Sequence, residues 1–178
     1  DGWRLLSIGR HIERLGFLAD ALARGFDSGA VADEGGFEAI VALFDSTITF
    51  RAQYQLRHDV PALVDLLVLD PDNPRSLAWV ARTLRGRVAK LHRNAHGSAD
   101  RAEGGTENTP DGEPVAAAEL FDPTELALEA LCAQDSTGAY PALAAMLSRC
   151  AGDAWRLSDQ LGARYFTHSG DQRQSLGS

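Results

Sequence analysis

Glu13 is the residue in this sequence best placed to do chemistry from within a helix. It follows Arg10 and precedes Arg14 in the run Gly9-Arg10-His11-Ile12-Glu13-Arg14. A carboxylate between two guanidinium groups can act as base or acid while the guanidinium groups hold a carboxylate substrate, or it can close an internal ion network. Leu6, Gly9, Gly16 and Phe17 lie at helical offsets that place them on the face of Glu13. Leu5, Ile8, Ile12, Leu15, Ala19 and Leu22 form a separate stripe with 3-4 spacing, a core-facing seam. A helix with one apolar stripe and a second, mixed face is expected to touch neighbours on both sides. Glu13 is then expected to be buried, and a buried carboxylate must be paired or protonated.

The expected partners lie in Asp45-Ser46-Thr47-Ile48-Thr49-Phe50-Arg51 and at Tyr54. This stretch is unusual for the middle of a helix: three β-branched residues follow an Asp and a Ser that compete for backbone hydrogen bonds. The expectation is that Arg51 or Tyr54 meets Glu13 across a helix pair, with Gly9 and Gly16 permitting close approach. Asp45 is expected to meet Arg10 or Arg14. A polar network that sets helix register is the favoured reading, ahead of a ligand site.

A second candidate is the anion-attracting start of a helix at Asn73-Pro74-Arg75-Ser76, where free N–H groups, Arg75 and Ser76 offer donors. It lacks the glycines of a phosphate-binding loop, so a turn with an N-cap is favoured there. His92 and His96 are four apart without a third ligand nearby in sequence, and no metal site is expected. His168 suits the C-terminal dipole of the last helix. Neither a Cys-His nor a Ser-His-Asp arrangement has usable context, so nucleophilic catalysis has no support.

The elements that must position these residues read as helical throughout, without strand alternation. Helices are expected over about 3–24, 37–56, 59–69 and 74–94, with Asp59 and Asn73 as N-caps and Pro61 and Pro74 in first turns. A mobile loop is expected over about 96–114 and a short helix near 115–120. Asp122-Pro123-Thr124-Glu125 reads as a capping box for a helix to about 133. The last long helix is expected from Asp135 or Ser136 to about Tyr165, with a frayed tail from Ser169. The fold class is all-α, an elongated bundle of about five to six helices in one domain over 1–178.

With 178 residues, 44% hydrophobic and 24% charged, the chain can bury a real core. Its net charge of −8 argues against nucleic acid or an anionic membrane as partner. Cys132 and Cys150 read as buried thiols in apolar helices. The absence of a signal peptide and of a membrane-spanning run suggests a cytoplasmic protein. The chain begins at Asp1, and a piece of a longer polypeptide is expected.

The run Gly2 to Arg14 resembles the Glu-Arg signature of the bacterial alpha-E domain family. The resemblance continues through Asp45-Ser46 with Arg51 and Tyr54, through the Leu66 to Ser76 block, and through Tyr165-Phe166 with His168. Phe50 departs from it, since a tyrosine is expected before Arg51. The family is all-helical, and its members carry an earlier Glu-Arg helix that this sequence lacks, so the chain resembles the C-terminal half. The resemblance implies work beside a circularly permuted ATP-grasp domain, fused or separate, in making or modifying peptide-like amide bonds. Transglutaminase-like and proteasome-related proteins are implied as neighbours. ATP and Mg are implied for the ATP-grasp partner, with no cofactor bound by this chain directly. Three roles fit: an accessory domain that binds protein or substrate; an enzyme with Glu13 and nearby arginines holding a carboxylate; and a purely structural assembly module.

Overall fold

The structure is a computed structural model that describes residues 2–55, 58–99 and 120–166, with the backbone alone for 94–99. Most of the expected loop, the short helix before Leu120, His168 and the tail lie outside the described residues. Seven α-helices account for most of the rest: α1 Gly2–Asp27, α2 Glu34–Leu43, α3 Thr47–Tyr54, α4 Val60–Val64, α5 Leu77–Ala99, α6 Leu128–Leu131 and α7 Pro141–Phe166. Among the described residues there is no strand.

α1 forms for the reason its spacing predicts. Ile8, Ile12, Leu15, Ala19 and Leu22 are all buried on one stripe. α1 runs antiparallel to α7, since Phe26 meets Tyr140 at one end while Gly16 lies against Trp155 further along. It also runs antiparallel to α5, where His11 stacks on Trp79 and Ser7 accepts a hydrogen bond from Arg87. α1 is thus flanked by the two other long helices.

The expected single helix over 37–56 is two helices, α2 and α3, broken at Phe44 to Ser46. Asp45 takes a positive φ of 50°, while Ser46 donates its hydroxyl to the Phe44 carbonyl and its own carbonyl accepts from Phe50 N–H at 2.7 Å to start α3. The residues that read as poor mid-helix formers are therefore a break. α4 is apolar all round and is buried at Ala62, Leu63 and Val64. It continues into a π-helical turn over Asp65–Leu69, closed by Asp70 N–H donating to the Asp65 carbonyl at 2.9 Å.

α5 starts at Leu77, three residues later than expected. Ser76 rather than Asn73 caps it, its hydroxyl accepting from Trp79 N–H at 3.0 Å. The capping box at Asp122 closes only a 3₁₀ turn over Pro123–Glu125. Leu126 then returns to extended backbone, and α6 is four residues long. Asp135 organises a tight turn rather than a helix start, accepting from Thr137 and Ala139 amides, and Pro141 opens α7.

Candidate functional site

The residues Trp3, Leu6, Arg10, Glu13 and Phe17 recur at 3-4-3-4 spacing and form a second stripe on α1. All five are exposed. The expectation that Glu13 is buried and paired is thus corrected. α5 takes the Ser7 and His11 side of α1, α7 takes the Gly16 side, and the outer face is left to solvent. Neither a side-chain hydrogen bond nor an ion pair joins Arg10, Glu13 or Arg14 to any described residue.

The stripe is strongly apolar for an outer face. Trp3 is 73% exposed, Leu6 50% and Phe17 53%; on α7, Trp155 is 48% and Phe166 68% exposed. Trp155 and Phe166 are three helical turns apart and share one face of α7. Trp155 lies across the helix seam against α1. A Cβ on Gly16 would sit 3.0 Å from its ring, so this glycine lets the indole lie flat on the α1 backbone. Gly9, Gly152 and Gly162 have open space where a Cβ would stand. The result is a ridge-and-groove surface with small residues and large rings, the Glu-Arg pair in its midst.

The residues expected to meet Glu13 have other partners. Arg51 pairs with Glu38 at 3.7 Å across the α2–α3 corner, with both side chains more than half exposed. Tyr54 donates its hydroxyl to Asp65 at 2.6 Å, tying α3 to the π turn. Burial, then that carboxylate, pushes the Tyr54 phenol above its ordinary range. Asp45 is exposed at the helix break, and Ser46 is buried within it. The seven residues expected to form one network are therefore distributed over separate places.

Asn73 and Ser76 are buried and turned inward. Asn73 donates to the Leu66 carbonyl at 2.8 Å and accepts from Arg75 N–H at 3.1 Å. Ser76 donates to the Asp70 carbonyl. With their polar atoms so engaged, the block is a capped turn that fastens the π segment to α5, the favoured reading over an anion site. Tyr165 is half-buried near the end of α7.

Among the described residues the buried carboxylate is Asp153, on α7, which sequence reasoning did not single out. It is 4% exposed, accepts from Phe121 N–H at 2.9 Å and pairs with Arg156. Its only sequence signal is the Asp-x-x-Arg spacing on a helix. Nearby, Arg85 pairs with Asp122, and Arg149 lies 4.4 Å from the Phe121 ring centroid. Burial opposes ionisation of Asp122, but hydrogen bonds from Thr124 and Arg85 prevail and hold its carboxyl below the usual range. Burial, reinforced by Asp153, pushes the Cys150 thiol up to about 12, and burial also raises that of Cys132. Both sulfurs are therefore neutral thiols at pH 7.

Clefts open elsewhere on the described surface. One, of about 390 Å³, lies between α2 and α3 and is lined by Phe37, Phe50, Glu38, Arg51 and His58. Another, of about 410 Å³, lies between α1 and α5. Glu13 lines neither of them.

Residues 1–166 match a family model described as a predicted alpha-helical domain with a conserved ER motif. Glu13-Arg14 is the only Glu-Arg dipeptide in the chain, so the motif falls on the exposed stripe of α1. Uncharacterised proteins of Mycobacterium bovis and of Mycobacterium tuberculosis strains CDC 1551 and H37Rv are each 30% identical over 93 residues. That match spans 51% of this chain and 10% of each relative. No solved structure matches the chain.

Proposed function

The chain belongs to the Alpha-E family, and we propose that it is an accessory docking domain for an ATP-grasp-type amide ligase. In this reading the outer face of α1 and α7 seats the ligase, and the domain does not itself carry out the bond-forming step. The observation that carries it is the exposed apolar stripe around the Glu-Arg pair. Among the described residues, five of the seven exposed large hydrophobic side chains lie on these two helices. Contiguous apolar surface rimmed by charge marks an interaction site more often than an accident of composition. Trp, Phe and Arg, the residue types grouped there, are the ones that dominate protein interfaces. The mycobacterial relatives lend support: the matching segment is a small part of a much longer polypeptide, so such a segment has other protein to pack against. Glu13 and Arg14 would supply the polar specificity in the centre of the contact, paired only when the partner is seated.

The test is co-purification with a circularly permuted ATP-grasp protein from the same genome, followed by ATP turnover with candidate amino acids. The complex is expected with the native chain and lost with Phe17→Asp or Leu6→Asp. Adding the chain is expected to change ATP turnover. Absence of a complex together with unaltered turnover would defeat the reading.

A further inference from the structure

We infer that the outer stripe of α1 binds a second copy of this chain, helix against helix and antiparallel about a two-fold axis. A two-fold contact needs a surface that is complementary to itself. The stripe meets that condition in its order as well as in its composition. Arg10 and Glu13 lie equally far from the midpoint between His11 and Ile12; so do Leu6 and Phe17, and so do Trp3 and Asp20. When two copies of α1 lie antiparallel across an axis at that midpoint, residues equally far from it come level. Leu6 then meets the second copy's Phe17, and Arg10 meets the second copy's Glu13. Symmetry makes each contact twice. The 3-4 spacing of Trp3, Leu6, Arg10, Glu13, Phe17 and Asp20 keeps these layers on one line, as interdigitating helices require.

Charge decides the orientation. A parallel pair in register would set Arg10 against Arg10 and Glu13 against Glu13, and like charges repel. The antiparallel pair sets acid against base in both central layers. Leu6 and Phe17 are exposed on either side of those layers, and covering them shields the ion pairs from water. At each end the exposed Trp3 comes level with the half-buried Asp20, whose carboxylate can accept from the indole N–H. Gly9 has open space where a Cβ would stand and comes level with the second copy's Arg14, which leaves that long side chain room. A seam of one helix pair is a small interface, so the dimer should dissociate on dilution. The seam does not depend on the ligase reading; where both hold, ligase and second copy compete for the same stripe.

Sedimentation velocity over a dilution series of the chain alone tests the seam without the ligase. A monomer–dimer equilibrium is expected. Arg10→Glu alone sets acid against acid, and Glu13→Arg alone sets base against base. Each should weaken dimerisation by about tenfold or more. An equimolar mixture of these two variants restores acid against base in both central layers and should dimerise like the native chain. Leu6→Asp and Phe17→Arg read the orientation. Each should be monomeric by itself, whereas their mixture dimerises only if the new acid comes level with the new base, as in the antiparallel seam. All four positions are exposed, so helical circular dichroism should be unchanged throughout. A native chain that stays monomeric at millimolar concentration would overturn the proposal. So would Arg10→Glu and Glu13→Arg each dimerising like the native chain, or their mixture staying monomeric. A mixture of Leu6→Asp with Phe17→Arg that stays monomeric would overturn the antiparallel order.

Discussion

A carboxylate that is only 4% exposed is costly unless paired, and Asp153 is paired with Arg156 and with the Phe121 amide. Asp153→Asn keeps the shape and removes the charge, and is expected to lower unfolding free energy by about 2–4 kcal/mol in denaturant titration. Glu13→Gln, on the exposed stripe, should change it by less than about 0.5 kcal/mol. The reverse ranking would place the buried network on α1 after all. Tyr54→Phe removes a hydroxyl donated to a carboxylate, and about 1.5 kcal/mol of stability should go with it. Asp122 gives a pH signature. Its carboxyl is held below the ordinary 3.8 in the folded chain. The unfolded chain therefore takes up its proton first, at higher pH. The resulting stability is fully present above about pH 4 and is lost as pH falls through the lower folded value. Melting temperature should drop more steeply below pH 4 in the native chain than in Asp122→Asn.

At the scale of elements, the corner between α2 and α3 decides what the polar stretch after Phe44 can reach. Asp45 is in left-handed backbone, which Asp tolerates and β-branched residues resist. Asp45→Val should cost about 1–2 kcal/mol, whereas Asp45→Gly should be close to neutral; thermal denaturation of both variants checks the pair. Equal melting temperatures would mean that the corner is not held by this backbone conformation. Local chemistry made the oddity of 45–51 legible but not its outcome, because a helix break and a compensated helix look alike in one dimension. The same holds at Asp122. Its cap was readable, while the early end of the turn depends on Leu126, Leu128 and Leu131 reaching the core. The N-cap position of Asp59 and the proline in the first turn at Pro61 needed only local rules, and they open α4, though the Asp59 side chain makes no cap hydrogen bond.

For the whole molecule, the outer face of α1 and α7 contributes little to the fold of this chain. Leu6→Asp combined with Phe17→Asp should leave the melting temperature nearly unchanged while lowering self-association, read by light scattering. A large fall in melting temperature would show that the face is already covered. The all-helical class, the start of α1 and its buried seam were determined by the sequence alone, whereas α1 runs past the expected end near Arg24 to Asp27. The sequence also determined the two stripes of α1, one apolar and one mixed. Which stripe found a neighbour was decided only by tertiary packing. α5 and α7 flank α1 on either side of its seam, so the Glu-Arg stripe stays in solvent. The cleft between α1 and α5 was settled the same way. Arg4 and Arg87 are distant in sequence, and only the antiparallel docking of α1 on α5 brings their charges around one space. Periodicity specifies which face of a helix is apolar; the assignment of neighbours comes from how all the faces are buried together.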